Sequence, residues 1–136
     1  MEFCPVQNSI FYLNHPAGCG IIGKKEECTM NFVELRELET ERLNLRRVRF
    51  DDLYDYYERL GSDGEVTRYL TFDPHQDIGE SLASIEKTLE RYEEGGCYRW
   101  AIALKEDDGI IGIFELLRFD EAAESCSFAY MLGKQW

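Results

Sequence analysis

The chain has 136 residues, with 27 Asp and Glu against 15 Lys and Arg, which gives a net charge of −12. This length allows one domain, and the negative charge disfavours binding to nucleic acids and to anionic membranes. There is no apolar run near the roughly 20 residues that span a bilayer and no N-terminal secretory signal. The five cysteines lack a C-x-x-C spacing, which disfavours a disulfide framework or metal site and predicts a cytoplasmic protein with reduced thiols.

The first 39 residues show no sustained periodicity and are predicted to be an extension, without an assigned structure, ahead of a domain at residues 40–136. Within the extension, residues 15–25 read HPAGCGIIGKK, which satisfies G-x-G-x-x-G and most of G-x-x-x-x-G-K. The context fits neither phosphate-binding pattern. Pro16 stands where a strand should precede the glycines, and Lys25 stands where a hydroxyl should reach Mg²⁺. We therefore expect this run to bind no nucleotide.

From residue 40 onward the hydrophobic pattern predicts an α+β fold. The expected elements, in chain order, are a strand at 43–50, helices at 51–61, 65–70 and 78–94, and strands at 97–105, 110–119 and 124–132. Asp77 and Glu80 form a capping-box-like pair at the start of the longest helix, and Gly95 closes it. The short connections between the last three strands indicate an antiparallel meander.

Side-chain periodicity predicts which residues share a face of these elements. The buried stripe of the first helix is expected to hold Leu53, Tyr56, Tyr57 and Leu60. One face of the strand at 97–105 is expected to hold Tyr98, Trp100, Ile102 and Leu104. Asp51 or Asp52 is the expected N-cap of the first helix, and Cys97 and Cys126 are expected to be small core residues.

Four blocks in the second region resemble the GNAT acyltransferases, and they read ETERLNLRRV, EVTRYLTFDPH, YRWAIALKEDDGIIGIF and SFAYMLGKQW. The resemblance covers about residues 39–136 and favours the branch that includes the ribosomal-protein N-terminal alanine acetyltransferases. It implies the N-terminal half of a GNAT fold, with a mostly antiparallel sheet and helices packed on it. It also implies an enzyme that moves an acetyl group from acetyl-CoA to a primary amine, such as a peptide N-terminus, a polyamine or another small amine.

The resemblance also implies site residues, because the family's fourth strand runs along the pantetheine arm of the co-substrate. Here that strand is 125–132, and the implied acetyl-CoA contacts are Tyr130, Met131 and Leu132. The implied walls of the amine pocket are Tyr69, Phe72 and Trp100, for which an ordinary role as core or rim aromatics is the alternative. No catalytic residue is implied, because Ser127 stands where the branch often has a glutamate. Glu115 lies one strand away and is expected to face solvent.

The chain also departs from the family after the fourth strand, where the family has a pyrophosphate-binding loop of the form Q/R-x-x-G-x-G/A. Here the strand leads only into LGKQW, so we expect an incomplete domain that binds acetyl-CoA weakly or not at all. The −12 charge agrees with a cationic amine substrate. The rival interpretation is a non-catalytic interaction module.

Residues 125–132 carry no charge and no proline, and strand edges of that kind recruit other strands. We therefore expect this edge to pair with a second copy, to exchange segments between copies, or to be covered by residues from 1–39.

Overall fold

The structure is a computed structural model that describes residues 35–120 and 122–136 and the backbone of Phe11–Tyr12. Its strands are β1 (Phe11–Tyr12), β2 (Leu38–Glu39), β3 (Leu43–Arg46), β4 (Arg99–Leu104), β5 (Ile110–Asp120) and β6 (Ser125–Leu132). Within the described residues these strands form one antiparallel sheet in the order β1-β6-β5-β4-β3-β2. The α+β class and the β4-β5-β6 meander are therefore confirmed. The glycine run at 15–25 lies outside the described residues, so its lack of nucleotide binding stays a prediction.

Between β3 and β4 the chain forms α1 (residues 50–61), α2 (Gly64–Thr67) and α3 (Ile78–Glu94). α1 begins as a 3₁₀ turn at Phe50–Asp52, continues as an α-helix over Leu53–Tyr56 and ends as a π turn at Tyr57–Gly61. The bounds of α3 match the predicted helix, whereas α2 is shorter than the predicted 65–70. In the part of the chain that the structure describes, every helix is too short or too polar to cross a bilayer.

Local capping explains why α3 begins and ends where the sequence predicts. The Asp77 carboxylate accepts hydrogen bonds from the backbone N–H groups of Gly79 at 2.7 Å and Glu80 at 3.2 Å, as an N-cap should. The Glu80 carboxylate accepts from the N–H of Gln76 at 2.8 Å, so the return contact is made one residue earlier than in a capping box. Gly95 follows with a φ of 85°, which glycine adopts without strain.

The predicted strand at 43–50 is shorter in the structure, and a buried ion pair accounts for the turn that ends it. Arg46 closes β3 and donates to both carboxylate oxygens of Asp52, at 2.9 and 2.8 Å. Its other contacts are Nε with Asp108 Oδ1 at 2.9 Å and bonds to the carbonyls of Asp108 and Arg47. All five N–H groups of the guanidinium are thereby used. The hydrogen bond with Asp52 raises the pKa of Arg46.

The N-cap predicted for the first helix is only partly correct. Asp52 directly precedes the α-helical part of α1, but its side chain makes no cap hydrogen bond there. Its carboxylate instead accepts the backbone N–H of Arg49 at 2.7 Å, and Arg49 is the residue that precedes the 3₁₀ turn. Asp52 therefore secures the entry to α1 from inside the helix while it also binds Arg46.

The helices pack on one face of the sheet, where alanine fills alternate positions of β4. Ala101 and Ala103 are fully buried and share a core cluster with Tyr56, Leu60 and Ile85. Small side chains at these positions allow large helix residues to reach the sheet without leaving voids. The stripe predicted for the first helix is thus confirmed at Tyr56 and Leu60.

Aromatic side chains cover the opposite face of the sheet. Ring centroids are 6.5 Å apart between Tyr98 and Trp100, 5.9 Å between Trp100 and Phe114, 5.6 Å between Phe114 and Phe128, and 6.3 Å between Phe128 and Tyr130. Tyr98 and Trp100 therefore share a face as predicted, although the helices pack on the other face of β4.

Candidate functional site

The outer edge of β6 presents main-chain groups at its C-terminal half. Gly133 donates its N–H to Ile111 of β5 at 2.8 Å, and Leu132 stands opposite Gly112. Residues of an antiparallel strand turn their main-chain groups alternately to one neighbour and then the other. The N–H and C=O groups of Tyr130 and Leu132 therefore point away from β5. Within the described residues, no strand pairs with these two positions on that side, because β1 pairs only with Cys126 and Ser125.

The three residues that the resemblance implies as acetyl-CoA contacts thus differ in what they offer. Tyr130 has 62% of its surface exposed and has outward main-chain groups. Leu132 is also exposed, and its main-chain groups also point outward. Met131 is 7% exposed and belongs to the helix-side core, and the same alternation turns its main chain toward β5. Outward N–H and C=O groups suit an extended arm that carries its own amides, such as pantetheine, so Tyr130 and Leu132 are the residues that would hold it.

A cleft opens in the segment between α1 and α3. Its volume is about 280 Å³, and its lining residues are Gly64, Thr67, Arg68, Leu70, Thr71, Phe72, Asp73 and Pro74. Phe72 therefore lines this cleft, and its role in an amine pocket stays a prediction. Tyr69 projects into solvent beside the cleft, with the Arg68 guanidinium 5.4 Å from the centre of its ring.

The cleft lies beside the C-terminal end of β6. Lys134, just after β6, forms a salt bridge with Asp63 at 2.8 Å, and Asp63 also caps α2 by accepting the N–H of Glu65. The hydrogen bond from Lys134 lowers the pKa of Asp63, and Asp63 in turn raises the pKa of Lys134. The outward main-chain groups of β6 and the cleft are therefore at the same end of the sheet.

Trp100, the third residue implied for the amine pocket, lies elsewhere. It is buried within the aromatic face of the sheet, and its indole N–H donates to the carbonyl of Arg36 at 2.8 Å. Because its polar group is already used, Trp100 has a structural role that ties the segment before β2 to β4. Phe72 thus lines the cleft and Tyr69 stands beside it, whereas Trp100 packs within the aromatic face of the sheet.

The expectation that Glu115 faces solvent is wrong. Its side chain is 13% exposed and lies between two arginines, with Oε1 2.8 Å from Arg91 Nη1 and Oε2 3.4 Å from Arg99 Nη1. Burial lowers the pKa of Arg91, but the hydrogen bond and charge of Glu115 outweigh burial and raise it. Both carboxylate oxygens of Glu115 are engaged by arginines, so Glu115 is not assigned as a base.

The two cysteines in the described residues are core residues, as predicted. Cys97 and Cys126 are both buried and unbridged, and burial raises the pKa of the Cys97 thiol. A thiol that stays protonated is a weak nucleophile. No catalytic group is assigned among the residues that the structure describes.

The sequence analysis missed one polar contact behind the cleft. His75, which directly follows the cleft segment, has its Nδ1 2.7 Å from the hydroxyl of Ser81 on α3. The predicted start of α3 locates Ser81 in the first turns of that helix. No local sequence pattern predicts that the loop before α3 brings His75 into contact with Ser81.

Comparison with known proteins gives one consistent result. The family model described as the acetyltransferase (GNAT) domain matches residues 42–136. The uncharacterized N-acetyltransferase p20 of Bacillus licheniformis is 31% identical over 100 residues, which are 74% of this chain and 56% of that protein. A protein from Vibrio cholerae, assigned as a ribosomal-protein-serine acetyltransferase, superposes with a TM-score of 0.63 at 15% identity over 74% of this chain and 56% of its own. A GNAT-family acetyltransferase from Bacillus anthracis gives 0.59 at 13% identity over 74% and 55%.

Proposed function

The chain belongs to the GNAT acetyltransferase family, and from this premise we propose that it serves the transfer of an acetyl group from acetyl-CoA to a primary amine. Acyl transfer is the reaction of the family, whereas the donor and the acceptor named here are our proposal. One observation carries it: the outward main-chain groups of Tyr130 and Leu132 and the cleft at residues 64–74 lie at the same end of the sheet. A donor on the strand edge and an acceptor in the cleft would therefore meet.

On the donor side, acetyl-CoA would lie along β6. Amides of its pantetheine arm would exchange hydrogen bonds with the main chain at Tyr130 and Leu132, as a further strand would. A backbone N–H close to the thioester carbonyl would also stabilise the negative charge that develops on its oxygen during attack. This role needs the backbone rather than a particular side chain.

On the acceptor side, the cleft combines aromatic and charged groups. Phe72, Asp73 and Arg68 line it. The Asp73 carboxylate attracts an ammonium group by its charge and Phe72 by the face of its ring, whereas the Arg68 guanidinium lies over the ring of Tyr69. The net charge of −12 draws cations to the whole surface. A peptide N-terminus, a polyamine or another small amine fits this chemistry. The amine must lose a proton before it attacks.

The chain spans 56% of the length of p20, so the experiment concerns binding by these 136 residues. The ¹⁵N-labelled chain is titrated with acetyl-CoA to millimolar concentration. We expect the amide signals of Tyr130 and Leu132 to shift more than those of Leu38 and Glu39 on the opposite edge. Equal or absent shifts on the two edges would refute the proposed donor site. A parallel mass-spectrometric assay with a panel of amines then tests for acetyl transfer.

The same edge supports a second candidate function, association with another copy, as a non-catalytic module would need. β6 is uncharged from Ser125 to Leu132, and Tyr130 is exposed beyond the two positions that β1 covers. Pairing there would compete with acetyl-CoA for the same main-chain groups. Sedimentation of Tyr130→Lys beside Leu38→Lys tests this, because Leu38 is also exposed, at 50%, but lies on the opposite edge. Only Tyr130→Lys should shift the chain toward monomer.

A further inference from the structure

His75 directly follows the cleft segment and is held by two other elements. The backbone N–H of His75 donates to the carbonyl of Gly61, the final residue of α1, at 2.9 Å. Its Nδ1 makes the 2.7 Å hydrogen bond with the hydroxyl of Ser81 on α3. Its ring lies 5.3 Å from that of Phe72 and 6.1 Å from that of Tyr56. His75 therefore joins the wall of the cleft to both helices behind it.

Ser81 is unusual for its position, because it is fully buried on the core face of α3. A buried hydroxyl is unfavourable unless it is hydrogen-bonded, and the bond with His75 meets this need. An alanine would fill the same space and is a better helix former. The serine at this position is thus explained by the histidine that it holds.

Gly61 makes the approach of His75 possible. A Cβ atom at Gly61 would lie 2.7 Å from His75 Nδ1, closer than such atoms come, and 3.0 Å from Ser81 Oγ, which is a tight contact. The π turn at the end of α1 places this glycine, with Ser62 donating its N–H to the carbonyl of Tyr57 at 3.0 Å. π turns within helices are often found beside functional sites. The His75 imidazole therefore packs against Gly61 of α1, Ser81 of α3 and Phe72 of the cleft.

From this geometry we propose that His75 is a positioning residue for the amine acceptor. It acts through Phe72, whose ring packs against it and lines the cleft, and the bond with Ser81 fixes the orientation of both. The inference rests on the proposed function, since it takes the cleft as the acceptor site. His75 itself need not touch the amine or carry its proton.

Three variants separate positioning from bulk. Ser81→Ala removes the hydroxyl and keeps a good helix former. His75→Leu removes the imidazole and keeps an apolar side chain of comparable size. His75→Asn keeps a polar atom near the position of Nδ1, and it is the conservative control. Because the two partners of one bond act together, the double variant Ser81→Ala/His75→Leu should be no worse than His75→Leu alone.

The probe is the peptide trialanine amide, which carries one α-ammonium group, titrated by NMR into the 136-residue chain and followed at the amides of Phe72 and Asp73. We expect Ser81→Ala and His75→Leu to raise the dissociation constant three- to tenfold, and His75→Asn to remain within twofold of the parent chain. The shifts that acetyl-CoA causes at Tyr130 should be the same in every variant. A disrupted fold would change both readouts.

The outcomes distinguish the two proposals. If Ser81→Ala and His75→Leu bind the peptide at Phe72 as tightly as the parent chain does, the role of His75 is overturned and the acceptor site still stands. A parent chain whose Phe72 and Asp73 amides do not respond to the peptide would overturn the acceptor site and, with it, this inference. Binding in His75→Asn as weak as that in His75→Leu would overturn the role of the hydrogen bond, because a polar atom near the position of Nδ1 would then restore nothing.

Discussion

The ion pair of Arg46 provides the sharpest test of how this fold is stabilised. The Arg46 side chain is 4% exposed and that of Asp52 is 7% exposed, so replacing Arg46 by Met leaves a buried carboxylate without its cation. Asp52 would retain only the hydrogen bond from the N–H of Arg49. Removing one partner of a buried pair in this way costs about 3–5 kcal/mol, a large part of the about 5–15 kcal/mol by which domains are stable.

The double variant Arg46→Met/Asp52→Leu distinguishes a buried charge from lost packing. Replacement of both ions by apolar residues is often close to neutral, although this variant also loses the bond to Arg49, worth about 1 kcal/mol. We therefore expect the double variant to be more stable than Arg46→Met alone, by about 2–4 kcal/mol. Arg46→Lys keeps the charge but not the paired geometry, and it should fall between the parent and Arg46→Met.

Urea unfolding followed by circular dichroism measures these free energies, with the slope of the transition checking that the folded state is the same. A loss of less than about 1 kcal/mol in Arg46→Met would place the pair in the class of weak surface salt bridges and refute the reasoning. So would a double variant as unstable as the sum of the two single changes, because it would show no coupling between Arg46 and Asp52.

Two further predictions concern single positions, and a third concerns the binding of acetyl-CoA. The hydrogen bond from Arg46 lowers the pKa of Asp108, so the stabilisation by the Asp108 carboxylate is present above the unfolded-state pKa of about 3.9 and is lost as pH falls through the lower folded-state pKa. Asparagine tolerates the φ of 57° at this position. In urea unfolding across pH, Asp108→Asn should therefore be less stable than the parent at pH 7 and match it in strong acid. Gly112→Ala should cost about 1–3 kcal/mol, because its Cβ would lie 2.5 Å from the Met131 carbonyl oxygen, whereas Gly64→Ala should be neutral in the same assay. Acetyl-CoA should bind the 136-residue chain more weakly than micromolar by calorimetry, because the groups proposed to hold it, the main-chain groups of Tyr130 and Leu132, are uncharged, and charge-assisted bonds to its phosphates are the strong ones.

Elements set by local chemistry could be predicted from the sequence, and α3 is the clear example. Its apolar stripe lies within the helix, Asp77 and Gly95 directly flank it, and the structure reproduces the predicted bounds. β2 could not be predicted, because Leu38–Glu39 becomes a strand only by pairing with Leu45 and Asn44 of β3. A pair of residues carries no period, so only the tertiary structure defines such a strand.

The site was harder to predict for the same reason. Glu115 reads as an ordinary strand glutamate, and its environment is set by Arg91 from α3 and Arg99 from β4. The contact of His75 with Ser81 likewise depends on how the loop after α2 folds back. In both cases the decisive partner comes from a separate element, and propensity and periodicity contain no information about it.

The residues that carry the family resemblance are largely the ones that build the framework. Arg46 in the first block fixes the turn into α1, His75 in the second ties the cleft to two helices, and Trp100 in the third binds the segment before β2. The proposed donor contacts at Tyr130 and Leu132 use the main chain, which most residues can supply. A site of this kind leaves little trace in side-chain identity. Family membership therefore fixes the framework of this chain, and its chemistry must be measured at the edge of β6 and in the cleft.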